Sequence, residues 1–144
     1  MSEKLVQAQV VADDLAKLML RLLLAGTMLF HGVSKITNAG AIDHIQGLLT
    51  ERGLPGFMVY GAFVGELLAP AFIIIGLFTR ASAVVVALTM VFALYLVHPH
   101  ELFAVTERGI WAIELQAYFM IVAIAVALLG GGRFAIFKGE GLLN

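Results

Sequence analysis

Apolar residues along this chain gather in four long runs, each closed by a short polar or glycine-rich break. At about 1.5 Å per residue, runs at residues 15–33, 57–78, 81–97 and 110–129 are of a length to cross a bilayer as helices. The pattern predicts an all-α integral membrane protein, an antiparallel four-helix bundle with those four spans, forming one membrane domain over residues 1–144. Between the first two runs, Ile42, Ile45, Leu48 and Leu49 fall at helical spacing against Asp43, His44, Gln46, Thr50, Glu51 and Arg52. That predicts an interfacial amphipathic helix at about residues 39–52. Gly53-Leu54-Pro55-Gly56 breaks it and turns the chain back into the membrane. The link at Thr79-Arg80 is so short that spans two and three form a hairpin, and Pro99 ends span three. Met1 to Asp14 is polar and mixed in charge, and reads as a tail or interfacial lead-in. The first run is longer than a signal-peptide core of about 7–15 residues and no A-x-A site follows it, which favours a retained helix.

Composition sharpens this picture. The chain is 61% hydrophobic and only 13% charged, about half the charged share of a soluble domain, so it has too little polar surface to cover itself in water. A net charge of −1 without a basic stripe gives no footprint for nucleic acid. The absence of cysteine excludes disulfides, thiolate-held iron–sulfur clusters, covalent c-type haem and thiol redox chemistry from this chain's own residues. Four spans put both termini on one side. That side carries Lys4, Lys17, Arg21, Arg80, Arg133 and Lys138 against Lys35, Arg52 and Arg108 on the other, which by the positive-inside rule predicts cytoplasmic termini in a plasma membrane.

The second run, FMVYGAFVGELLAPAFIIIGLF, holds a single ionisable group, Glu66. A carboxylate meeting lipid there costs at least ~3 kcal/mol, so Glu66 is expected to face other helices and find a partner. Gly61, Gly65 and Ala69 recur every fourth residue around it, a small-residue surface on which another helix can lie close, within the bundle or across a homodimer. Pro70 removes the backbone donor for the Glu66 carbonyl and loosens the helix at the same place.

Taking ~1.5 Å per residue, His31, Glu66 and Glu114 lie about 7, 13 and 7 Å inside the outer ends of their spans, all in one leaflet. His98, His100, Tyr60, Tyr95 and Trp111 fall in the same half, and Tyr118 lies one turn below Glu114. His31 and Lys35 are four apart and share a helix face, and either could reach Glu66. Two readings stand side by side: an ion pair or hydrogen bond that fixes helix register, or a proton-exchanging pair beside a small ligand, since histidine titrates near neutrality. His31, Lys35, Glu66 and Glu114 are the candidate chemical groups, and Tyr60, His98 and Tyr118 the candidate ligand-lining residues. His98-Pro99-His100-Glu101 matches no strong metal motif, so no metal site is assigned; a haem b between His31 and His98 is a minor alternative. Trp111 and the tyrosines read as an interfacial aromatic belt.

Arg21, then Leu29-Phe30-His31-Gly32-Val33-Ser34-Lys35-Ile36, Gly53-Leu54-Pro55, Glu66, Gly76-Leu77-Phe78-Thr79-Arg80 and finally Gly130-Gly131-Gly132-Arg133 follow one another in an order and spacing that resembles the DoxX family of small four-span bacterial membrane proteins, over roughly residues 15 to 137. The family's usual Gly-Pro-Gly ending is Gly130-Gly131-Gly132 here, and a Ser-hydrophobic-Asp tail motif is replaced by Phe134-Ala135-Ile136-Phe137. The resemblance implies a place in a bacterial plasma membrane and an association with quinol oxidation, thiosulfate:quinone oxidoreduction or oxidative-stress complexes through partner proteins. The leading functional expectation is a redox-associated subunit that binds a quinone-like lipophilic molecule at the outer polar cluster. No intrinsic cofactor is implied, so a partner oxidoreductase subunit or the quinone itself carries the electrons. Two alternatives come from other classes: a non-catalytic scaffold for an oxidoreductase or oxidative-stress complex, and a small permease acting as an oligomer.

Overall fold

The computed structural model describes residues 3–137 and Leu143; Met1, Ser2 and Lys138 lie outside the described residues. The chain folds as helices: α1 (Glu3–Thr37), α2 (Ala39–Glu51), α3 (Gly56–Ile75), α4 (Thr79–Val97) and α5 (Glu114–Leu129). Helices α1, α3 and α4 are long and apolar enough to cross a membrane, and α5 is a shorter apolar helix of 16 residues. The four pack antiparallel around an apolar core in which Leu24, Ala25 and Met28 of α1 meet Ala69 and Ile73 of α3, Ala83, Val86 and Met90 of α4, and Phe119, Ala123 and Val126 of α5. Large apolar side chains such as Leu23, Phe30, Leu88, Ile121 and Leu128 cover the outside of the bundle. An apolar exterior around an apolar core is what a lipid-facing bundle requires.

Helix α1 is far longer than its apolar run. Its 35 residues span about 52 Å, against about 30 Å of hydrocarbon. The stretch read as a lead-in is helical from Glu3, because neither glycine nor proline interrupts residues 3–25 and hydropathy marks where lipid lies, not where a helix ends. Asn38 alone separates α1 from α2, its side chain accepting from the Gly40 amide at 3.3 Å as a helix N-cap. Leu49 of α2 is buried against Val59 and Leu96, so α2 lies across the loop end of the bundle, where α3 begins and α4 finishes. Arg52 fastens it there, donating to the Tyr95 carbonyl at 2.5 Å and lying 4.9 Å above the Tyr95 ring.

Helix α3 changes pitch along its length. A 3-10 turn (Gly56–Met58) and a short α segment (Val59–Phe63) lead into a π segment (Val64–Leu68), and Ala69–Ile75 is α again. The loosening predicted at Pro70 therefore takes the form of a π-bulge: the Ala69 amide reaches back five residues to the Val64 carbonyl. The Glu66 carbonyl, lacking its Pro70 donor, lies against Gly32 of α1, where a Cβ would stand 2.6 Å from it. Gly65 lies against Thr89 of α4 with no space for a side chain, whereas Gly61 has nothing within 4 Å. The small-residue stripe thus serves contact inside the bundle at Gly65 and Ala69 and borders open space at Gly61.

Helix α5 starts at Glu114, four residues later than its apolar run. The preceding backbone is committed elsewhere: Ala112 N–H donates to Ala104, Thr106 N–H to Ile110, and the Trp111 indole to the Leu102 carbonyl at 2.8 Å. A tight hairpin with a bridge between Val105 and Trp111 replaces the first helical turn.

At the terminal end of the bundle, a buried cation ties three segments together. Arg21, fully buried, donates through Nε to Ile73 O at 2.9 Å, through Nη2 to Ile74 O at 2.9 Å and through Nη1 to Gly131 O at 2.7 Å. Two of those carbonyls are at the C-terminus of α3, where the helix dipole favours positive charge. Arg80 treats α5 in the same way, donating to Ala127 and Leu128 O at 3.0 and 2.8 Å.

Two predictions test this packing by thermal unfolding in detergent. Gly32→Ala and Gly65→Ala each destabilise by about 1–3 kcal/mol through overpacking, while Gly61→Ala is neutral or slightly stabilising through helix propensity. Arg21→Met strands three carbonyls and costs more than Arg21→Lys, at about 1–3 kcal/mol per carbonyl left without a donor.

Candidate functional site

Glu66 projects from the π segment into the gap between the two apolar clusters, the central one and the smaller one beneath α2. Its side chain is 4% exposed, and Lys35 of α1, 30% exposed, pairs with its Oε1. Its other oxygen, Oε2, is buried and has no hydrogen-bond partner among the described residues. The two partners therefore carry unequal burdens: the ammonium keeps part of its surface open, while the carboxylate bears nearly the whole desolvation.

Lys35 and Glu66 form part of the wall of two cavities at once. One, about 440 Å³, is lined by Phe57, Met58, Tyr60, Phe92 and Leu96 between α3, α4 and the underside of α2, and is overwhelmingly apolar. The other, about 260 Å³, is lined by His31, His44, His98 and Gln116 together with Met28 and Phe119. Ile45, Ala93 and Val97 complete the shared partition. The site is thus an ion pair between an apolar chamber and a histidine-lined one.

Of the residues singled out from the sequence, His31, Lys35, Glu66 and His98 come together around the smaller cavity, and Tyr60 lies at the wide apolar one, 65% exposed. Only one of the two α1 candidates meets the acid. His31 packs T-shaped with Phe119, ring centroids 5.3 Å apart at 84°, while Lys35 takes Glu66. Glu114 and Tyr118 are not brought to this site. They line a separate surface cavity with Glu107, Arg108 and Trp111, because a helix that turns Gln116 and Phe119 inward leaves 114 and 118 on the opposite face. Glu114, a candidate chemical group, and Tyr118, a candidate ligand-lining residue, therefore stand apart from Glu66.

His98 ends α4 and is held from both sides. Gln116 Nε2 donates to its Nε2 at 2.9 Å, so Nδ1 carries the proton and donates to Glu101 Oε2 at 2.8 Å. Among the described residues, no three histidine or carboxylate side chains group as a metal site. Sequence reasoning passed over His44 and Gln116. The polar face of α2 was the signal for the first; nothing short of the α5 register could have marked the second.

A scan against family models matches residues 16–99 to the one described as DoxX. That stretch covers most of α1 and all of α2, α3 and α4, and so contains Arg21, His31, Lys35, Tyr60, Glu66 and His98. No curated protein and no solved structure matches the chain.

The pair predicts an asymmetric mutational response. Lys35→Met leaves a buried carboxylate uncompensated and costs about 3 kcal/mol, whereas Glu66→Leu leaves a lysine that can reach water and costs less. The double variant recovers most of the Lys35→Met loss, read as Tm in detergent.

Proposed function

The chain belongs to the DoxX family, and from that premise we propose that it is a redox-associated membrane subunit which binds a quinone-like lipophilic molecule at Lys35 and Glu66. The observation that carries this reading is the unpartnered Oε2 of Glu66, a buried polar atom beside an ammonium at the edge of an apolar chamber. A buried oxygen without a partner is costly, and a ligand that supplies one recovers that cost. The chamber fits the rest of such a molecule: Phe57, Met58, Phe92 and Leu96 suit a ring and the start of a prenyl tail, and Tyr60 stands exposed at the opening. In this arrangement Lys35 Nζ donates to a ligand oxygen and Glu66 exchanges a proton with it through Oε2.

Reducing a bound quinone to the quinol takes two electrons and two protons. A partner oxidoreductase subunit supplies the two electrons; Glu66 passes one proton to the ligand oxygen beside it, and the second reaches the other ligand oxygen from water. The six basic residues that the sequence puts towards the termini, against three on the other side, support a reading with cytoplasmic termini in a bacterial plasma membrane and the pair in the outer half of the bilayer.

The scaffold reading is favoured by one fact, that Lys35–Glu66 joins α1 to α3 and would hold register without any ligand. Equilibrium binding of a labelled short-chain quinone to the purified protein separates the two. The wild type is expected to bind saturably, with Glu66→Gln and Lys35→Met at least tenfold weaker, about 1.4 kcal/mol, in preparations whose Tm shows them folded. Equal retention by wild type and both variants would sink the quinone reading in favour of the scaffold.

A further inference from the structure

The histidine-lined cavity shares Lys35 and Glu66 with the apolar chamber. We infer that this second cavity is a proton route that connects Glu66 with water at the loop end of the bundle, and that His98 with Glu101 is its mouth. Four observations meet here. Glu66 Oε2 is buried and unpartnered, so the group has a free position for a proton or a proton donor. The cavity, at about 260 Å³, has room for several waters at ~30 Å³ each, and His31, His44, His98 and Gln116 in its otherwise apolar wall offer them partners. His98 bridges the cavity to Glu101, whose side chain is 47% exposed. Gln116 occupies the inward nitrogen of His98 with an amide, a group that can turn to present either a donor or an acceptor.

The groups facing Glu66 around this space are His31 and Lys35 from α1, His44 from α2, His98 from the end of α4 and the uncharged Gln116 from α5. A proton released by Glu66 crosses the cavity water to His98 Nε2 as the Gln116 amide turns its oxygen towards the ring. The imidazolium then passes its Nδ1 proton to the Glu101 carboxylate, which releases it to bulk water. One proton leaves Glu66 and one reaches water; the ring is neutral before and after, and Glu66 remains as a carboxylate beside Lys35. Run backwards, the same steps load Glu66. The inference goes beyond ligand binding and holds whatever occupies the apolar chamber.

The test is a pH jump on quinone-free protein in lipid vesicles, followed by time-resolved infrared absorption of the Glu66 carboxyl band, identified by its loss in Glu66→Gln. His98→Phe and Gln116→Leu are each expected to slow the appearance of that band at least tenfold, while Leu128→Ala on the outside of the bundle leaves it unchanged. Two cavity variants from different helices guard against one failing to fold. Rates equal to wild type in both, or a slowing by Leu128→Ala alone, would overturn the route. Since no quinone is present, this result is independent of whether quinone binding is found.

Discussion

A carboxylate inside an apolar bundle must find both a counter-charge and donors for two oxygens, and the loop end of this protein is arranged around meeting only part of that demand. Lys35 satisfies one oxygen of Glu66; the second is buried without a partner among the described residues. Moving such a group out of water is expensive, and a bundle built only for rigidity does better with a well-packed apolar pair. The half-satisfied acid is therefore the feature from which the functional reading proceeds, because the remaining cost falls when a ligand or water reaches Oε2.

The backbone delivers the acid to this position. Pro70 strips the Glu66 carbonyl of its donor, α3 widens into a π segment, and the freed carbonyl is received by Gly32 where α1 comes close. π-bulges are costly local irregularities that persist where the surrounding packing holds them. Here the packing comes from Gly32 on one side and Thr89 against Gly65 on the other, so the irregular helix is clamped between α1 and α4 at the level of the ion pair.

The two ends of the bundle treat charge differently. At the terminal end the buried guanidinium of Arg21 has all three of its donor nitrogens matched to backbone carbonyls, and Arg80 caps the last carbonyls of α5. Those cations lock helix ends together and face no chamber that the ion pair shares. At the loop end the charges are incompletely matched and adjoin open volume, and the apolar core is split there into two clusters. Fully matched charge lies at one end and half-matched charge at the other.

Much of this was legible in the linear sequence. Hydrophobic runs specify helices that cross a bilayer, because lipid can satisfy no backbone polar group and only intrahelical hydrogen bonds remain. A lone acid in such a run demands a partner on another helix, small residues mark close approach, and proline forecasts the loosened turn. What the sequence left open was rotation and register. His31 and Lys35 share a face, and only the packing of α1 on α3 decided that the lysine meets Glu66 while the histidine meets Phe119. Glu114 lies on the other side of α5, since the packing that turns Gln116 and Phe119 inward directs it to a separate cavity. Arg21 reads as a basic residue near a membrane edge until the folded chain brings Ile73, Ile74 and Gly131 to it. The division has one physical cause: hydropathy along a chain reports depth in the membrane, whereas the angle at which a side chain leaves its helix is fixed only by the neighbours packed against it.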